Sequence, residues 1–536
     1  VRRPGMLFAA IRHTPTTGGT VARHDAEKAL EVPGVKKVVV IDGPGGLGKG
    51  FAPLAGVAVL ADSTWAAFQG REALTVEWEP GPHAVYESAA YRKSLEETAK
   101  KPGRVIREEG DWKAAWETAA TKIEADYYVP HLAQAPMEPP VATAEVREDG
   151  TVEVWATTQD PQNARRQIAE LLDIEKEKIT VWPTLLGGGF GRKSKPDFIL
   201  EAVLLSKQAK APVQVVWSRE DDVQHGYLHA VSCQHLKGGL DAEGSPMVWL
   251  QRTVFPSISA TFNGEARQAS AGELGLGFTE LPYRIPHLCL ENGEAEAHVR
   301  IGWMRSVCNI FHAFAACSFA DELAHAAGAD PYDYLRRLLG EPRKLTFSEG
   351  VEYGNYGESL EEYPIDAGRL AHVLELAAKE AGWGKRKLPA GRGMGLAAHR
   401  SFASYVAAVA DVEVDSKKKL EVNEVVIAAD CGTYVNADRV RSQMEGSVIY
   451  GLSLALFGQI TAEKGAIVQS NFHDYPVARI QHTPKEIRVV LVDSTAPPGG
   501  VGEPGVPPIA PAITNALFAA TGERVRELPL SKMGWI

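Results

Sequence analysis

Strand-like apolar runs interleaved with helix-like runs, with glycine and proline between them, extend along the whole chain and restrict it to an α+β (mixed α/β) architecture. Strands are expected at Val35–Ile41, Val57–Leu60, Val152–Ala156, Val213–Trp217, Val406–Val414 and Val422–Ala429. Helices are expected at Thr64–Gly70, Ala164–Leu172, Phe311–Ala327, Ala367–Ala381 and Asp438–Phe457. At 536 residues the chain exceeds what one hydrophobic core organises, so several domains are expected. The pattern divides it into a small α/β unit at 1–82, a polar connection at 83–120, a strand-rich part at 121–345 and a last part at 346–536. No internal repeat is present.

Composition excludes several classes of function. The formal charge of −11 arises from 57 basic and 68 acidic residues spread along the chain, so nothing points to a nucleic-acid partner. Five cysteines stand singly, without a CxxC pair; neither a zinc site nor a complete iron–sulfur cluster can be written from them, and buried small hydrophobes are expected. No uninterrupted apolar stretch is long enough to cross a bilayer, and the opening VRRPGMLFAA lacks the apolar segment of a signal peptide. The sequence begins without an initiator Met, so a removed upstream segment or a separate chain is expected.

Five short motifs could carry chemistry. In Leu186 to Lys193, LGGGFGRK, glycines permit positive φ and close approach of backbone to a ligand, although a plain tight turn reads equally well. It matches neither the dinucleotide fingerprint nor the phosphate loop, which disfavours a nicotinamide-dependent dehydrogenase. In Pro497 to Pro508 a stiff Pro/Gly loop leads into an apolar helix from Pro511 to Thr521 and presents one charge, Glu503, either as a base or as an exposed loop carboxylate. Trp303-Met304-Arg305-Ser306 precedes an apolar helix, where Arg305 reads as a surface or ion-pair residue. In Thr157-Thr158-Gln159-Asp160-Pro161, Gln159 offers an amide and Asp160 caps the following helix. His131 to Pro140 places His131 and Glu138 in a proline-rich turn.

In order and spacing, APMEP at 135–139, TTQ at 157–159, GGGFG at 187–191, WMRS at 303–306 and GVGEP at 500–504 resemble the molybdenum-binding large subunit of the xanthine dehydrogenase and aldehyde oxidase family along nearly the whole chain. The likeness is strongest to the branch that holds the isoquinoline 1-oxidoreductase β-subunit, which the helix at 443–452 and SNFHDYP at 470–476 also resemble. The resemblance implies a hammerhead domain at 1–82 and two large cofactor-binding domains, with molybdenum held by the dithiolene of a pterin, as the cytosine dinucleotide, and by no protein ligand. Glu503 matches the family's base. Gln159, Gly188, Gly189, Phe190, Gly191, Arg305 and Gly502 match cofactor-side positions, and Phe190, Glu138 and Trp303 would line the substrate pocket.

Two departures from the family pattern stand out. The family's GlyGlnGly pterin-contacting segment is absent and is expected upstream or on another polypeptide. Ser194 stands where purine-oxidising members carry a glutamate, which disfavours purines, whereas Arg219 resembles an arginine that helps anchor them. The expected activity is oxidation of an aldehyde to a carboxylate with water as oxygen source; the alternatives are hydroxylation of an aromatic N-heterocycle beside nitrogen and a cofactor-free accessory subunit. With no cluster, flavin or haem motif of its own, the chain is expected to pass electrons to a small ferredoxin-like partner with [2Fe-2S] clusters, and in some members of this branch to a membrane-associated cytochrome c. By the same resemblance a periplasmic location is expected, with the cytoplasm as alternative.

Overall fold

A computed structural model describes residues 1–536. Three sheets carry the architecture. The first has seven strands, in spatial order Ile179–Pro183, Val152–Ala156, Val141–Val146, Val213–Val216, Leu7–His13, Gly56–Ala61 and Val35–Ile41. The second has five: Arg104–Glu109, His287–Asn292, Pro246–Val254, Ser232–Leu240 and Thr121–Val129. The third has four: Arg392–Ser401, Ser404–Val414, Leu420–Asp430 and Glu486–Leu491. No helix is long and apolar enough to cross a membrane.

Strands of residues 1–82 share the first sheet with strands of the 141–216 region. Leu7–His13 pairs in parallel with Val213–Val216, Leu7 opposite Val213, so the first sheet joins the N-terminal residues to the 141–216 region. Leu7–His13 and Gly56–Ala61 are nearly continuous apolar runs, and such strands must be covered on both faces and flanked by other strands. One apolar cluster runs from Phe311, Phe314 and Phe319 of helix Asn309–Ala326 through Leu370 and Leu374 to Tyr405 and Val426.

The third sheet fixes the loop that precedes the C-terminal helix Ile509–Thr521. Strand Arg392–Ser401 carries Gly393 and Gly395 where a Cβ would come within 2.4 Å of the Ala516 carbonyl oxygen and 2.1 Å of the Ala516 nitrogen. Glycine at these two positions lets helix and sheet approach backbone to backbone. Helix Ala437–Phe457 closes the other side through Gly451, which packs on Ile509. All five cysteines are free and buried, as their isolated spacing implies.

Candidate active site

Glu503 sits in the turn between the third sheet and helix Ile509–Thr521. The hairpin tip Phe402–Ala403, both at positive φ, holds the start of this turn: Gly500 N–H donates to Phe402 O (2.8 Å) and Ser404 Oγ donates to Gly500 O (2.6 Å). Val506 N–H donates to Glu503 O (3.0 Å), and the helix behind is almost wholly buried. The carboxylate therefore projects from a loop braced at both ends. Its Oε1 accepts the Ser306 backbone N–H at 3.0 Å, and Ser306 Oγ donates to Glu503 O at 2.7 Å. Burial holds the Glu503 carboxyl above the usual carboxylate range, opposed by the Ser306 hydrogen bond and the Arg305 charge.

Ser306 can make that contact because its backbone is turned the wrong way for an ordinary residue. Ser306 and Val307 both take positive φ, 82° and 47°, costly for a β-branched valine and held only by surrounding contacts. Asn309 supplies one: its Nδ2 donates to Ser306 O (3.1 Å), while its Oδ1 accepts from His399 Nε2 (2.8 Å). Arg305 supplies the others. Its backbone N–H donates to Phe190 O (3.1 Å), its Nε to Gly502 O, and its Nη2 to Gln443 O (3.1 Å) and Ser447 Oγ (2.8 Å). The ion pair expected as one reading of Arg305 is not made as a direct contact; the guanidinium instead ties the Glu503 loop to helix Ala437–Phe457.

The glycine loop faces this arm. Gly188 and Gly191 take positive φ (94° and 89°), and Phe190 follows at 49°. A Cβ on Gly191 would lie 2.5 Å from Trp303 O, so the loop runs backbone to backbone against the Trp303–Ser306 arm. Gln159 Oε1 accepts Gly191 N–H (3.0 Å), which leaves its Nε2 as a donor, and Asp160 caps helix Pro161–Leu172 by accepting Asn163 N–H (3.0 Å). Phe190 packs on Tyr450, ring centroids 5.0 Å apart, and Arg305 lies over the same ring. The structure thus brings Glu503, Gly502, Arg305, Phe190, Gln159 and Gly188 to Gly191 into one contiguous set.

The remaining expected residues stand further out. Glu138 is spent on Gly187 N–H (3.0 Å) and Lys193 Nζ (2.6 Å), so it braces the glycine loop. Trp303 is pinned by its carbonyl, which accepts from Gln134 Nε2 and Lys195 Nζ, both at 2.9 Å. Its half-exposed indole borders an open cavity of about 730 Å³ with Phe51, Phe262, Arg165, Lys176 and Ser194. Arg219 is committed to Asp222 (2.8 Å) and to the Pro136 and Met137 carbonyls. His131 is a buried core residue bonded to His229 O and Tyr86 Oη.

The donor set fits an anionic, oxygen-rich group such as the pterin cofactor. Gln159 Nε2 is free, the Tyr450 hydroxyl is buried without a partner beside Phe190 and Arg305, and a Cβ on Gly502 would meet nothing within 4 Å. Sequence reasoning missed Ser306, Asn309 and Tyr450. Ser306 and Tyr450 both had a signal, lying in segments that resemble the family; Asn309 had none. If Phe190 walls the substrate space, Phe190→Ala should retain turnover while shifting the ratio of kcat/KM values between small and bulky substrates by about 10-fold, as expected for a hydrophobic wall; an unchanged ratio would remove it from the wall.

The molybdopterin cofactor-binding domain family matches residues 97–338, and a second family of the same description matches 347–484. The chain is 30% identical to the β-subunit of isoquinoline 1-oxidoreductase from Brevundimonas diminuta, over 99% of this chain and 65% of that one. It is also 30% identical to a membrane-bound aldehyde dehydrogenase of Gluconacetobacter polyoxogenes, over 98% and 68%, and 28% identical to a nicotinate dehydrogenase polypeptide of Pseudomonas putida, over 99% and 44%. The chain thus spans between 44% and 68% of the length of these relatives. Among solved structures, quinoline 2-oxidoreductase from Pseudomonas putida 86 shares the fold at a TM-score of 0.77 and 15% identity, covering 99% of this chain and 94% of that one. The aldehyde oxidoreductase of Desulfovibrio gigas does so at 0.77 and 16%, covering 98% and 76%.

Proposed function

The chain belongs to the family of molybdopterin-binding large subunits of molybdenum hydroxylases, and from that premise we propose that it oxidises an aldehyde to a carboxylate with water as the oxygen source. The observation that carries this reading is the Glu503 carboxylate: half-buried, raised above the usual carboxylate range, and held by Ser306 opposite the Gln159–Phe190 loop. The reaction converts aldehyde and water into carboxylic acid, two electrons and two protons.

The molybdenum cofactor, when bound, supplies a Lewis-acidic centre that takes up the two electrons. Every proton movement is then a task for this chain. Glu503 Oε1 is occupied by the Ser306 N–H, so Oε2 is the atom that receives the proton of the attacking oxygen. The braced turn keeps that atom in line, and the Arg305 guanidinium stabilises the ionised base between turnovers. Phe190, backed by Tyr450, excludes water from one side. Gln159 Nε2 and the Gly188 to Gly191 backbone hold the cofactor.

A second reading, hydroxylation of an aromatic N-heterocycle, is favoured by the cavity beside the glycine loop, where Phe51, Phe262 and Trp303 stand next to Arg165 and Lys176. Such a lining suits a flat aromatic ring carrying an anionic substituent. We assign the cofactor as the cytosine dinucleotide form. The electrons leave through a [2Fe-2S] partner subunit and from there to a membrane-associated cytochrome c, and the assembly works in the periplasm. The pterin-contacting segment comes from a further part of the protein or from another chain.

Metal counting on the natively purified complex tests the reading. About one molybdenum per copy of this chain is expected, with about four irons from a partner holding two [2Fe-2S] clusters. Paired assays with an aliphatic aldehyde and with nicotinate then separate the two substrate readings. A complex with neither molybdenum nor activity on either substrate would return the chain to a cofactor-free accessory role.

A further inference from the structure

We propose that His13, Asp221 and His225 form a divalent-metal site, suited to zinc, that is separate from the candidate active site and staples the N-terminal strand to the body of the molecule. One ligand atom from each of the three lies within 4.8 Å of the others. His13 ends strand Leu7–His13, and Asp221 and His225 lie one turn apart on helix Arg219–His225. Two imidazoles and a carboxylate suit a borderline cation such as Zn2+ better than an oxygen-seeking Mg2+ or Ca2+.

The second observation is the state of His13 itself. Its side chain is fully buried, and its Nε2 lies 2.8 Å from Glu201 Oε1. A carboxylate accepts, so the proton sits on Nε2 and the Nδ1 lone pair faces away. That Nδ1 is buried and has no hydrogen-bond partner, which is unfavourable while nothing binds it. Glu201 behind it is fully buried, receives Trp217 Nε1 at 2.7 Å and has no lysine or arginine partner. A carboxylate that orients an imidazole from behind and supplies charge is the usual second partner of a metal-bound histidine. A cation on Nδ1 satisfies the orphaned nitrogen and compensates Glu201 at once.

The other two ligands are available in the same sense. The His225 ring stands 5.0 Å from the His13 ring, centroid to centroid, and neither of its nitrogens is hydrogen-bonded. Asp221 uses Oδ2 for Arg71 Nη1 (2.8 Å) and Ser218 N–H (2.7 Å), which leaves Oδ1. The nearby guanidiniums of Arg71 and Arg300 oppose a cation but are themselves committed, Arg71 to Asp221 and Arg300 to Asp197 (3.1 Å) and the His225 carbonyl.

The test is titration of the chelator-stripped full chain with Zn2+ by calorimetry and with Co2+ by visible absorption. One equivalent is expected, with the ligand-field bands of a nitrogen- and oxygen-coordinated cobalt. His225→Gln should lose this equivalent, and Glu201→Gln, which keeps the shape and the Trp217 contact, should weaken it about 10- to 100-fold. Absence of a binding equivalent in the unaltered chain, or the same equivalent in His225→Gln, would overturn the assignment. Neither readout depends on molybdenum or on turnover.

Discussion

Glu503→Gln is expected to lower kcat by about 10²–10⁴-fold, the span of a lost general base, with molybdenum content unchanged. Glutamine keeps the shape and can still accept the Ser306 N–H through its carbonyl oxygen, so the loop geometry survives while Oε2 is replaced by an amide nitrogen that cannot take a proton. The unaltered protein should show the complementary pH profile. Burial raises the Glu503 carboxyl, the active form is the carboxylate, and so kcat/KM should rise with pH through a midpoint above the ordinary carboxylate range.

The same shift has a stability consequence of opposite sign. A carboxyl whose folded pKa lies above its unfolded value contributes stability that is complete below the unfolded pKa and lost as pH rises through the folded one. Near neutrality the ionised Glu503 therefore counts against the folded state. Glu503→Gln should be at least as stable as the unaltered protein near pH 7, an advantage that shrinks on acidification. Thermal melts across pH read this directly. Near-normal turnover in Glu503→Gln would remove Glu503 from the base role whatever the melting point.

Local signals carried far into this structure, and non-local ones did not. Helix Ala367–Ala381 was legible to the residue from its periodicity, with the Asp366 cap in front and Gly382 behind. Glu503 stood out as the single charge in a stretch too stiff to be a linker, and the structure gives it a turn braced from both sides. The shared first sheet was not legible, because parallel pairing of Leu7–His13 with Val213–Val216 joins segments about two hundred residues apart and no local pattern encodes that register. The backbone conformation of Ser306 was equally hidden. A serine followed by a valine carries no sign of positive φ, and both angles are imposed by Asn309, Arg305 and the Glu503 loop. Arg305 was recognisable as a residue of interest, whereas its role as a bridge depends on Gln443 and Ser447 arriving from a helix that begins more than a hundred residues later.

That bridge sets the second large effect. Arg305 joins three segments: its backbone N–H bonds the glycine loop at Phe190 O, its Nε the Glu503 turn at Gly502 O, and its Nη2 the helix Ala437–Phe457 at Gln443 O and Ser447 Oγ. Arg305→Ala keeps the first contact and removes the others; Gln443 O keeps the Ser447 Oγ donor at 2.7 Å, whereas Gly502 O loses its donor, at about 1–3 kcal/mol where water cannot reach it. The Glu503 turn would then relax relative to Ser306, and a displacement of about 1 Å at a reacting group can cost 10²-fold in rate. Arg305→Lys separates charge from geometry. Its ammonium can restore positive charge near Glu503 but cannot span Gly502 O and the Gln443–Ser447 pair with a planar fork. If the bridge positions the base, both variants should lose about 10²-fold or more in the turnover of molybdenum-loaded molecules, with Arg305→Lys little better than Arg305→Ala. If Arg305 acts only through charge, Arg305→Lys should recover most of the rate, and the pH midpoint should move upward in Arg305→Ala alone. Rates normalised to bound molybdenum, measured across pH for both variants, decide between position and charge.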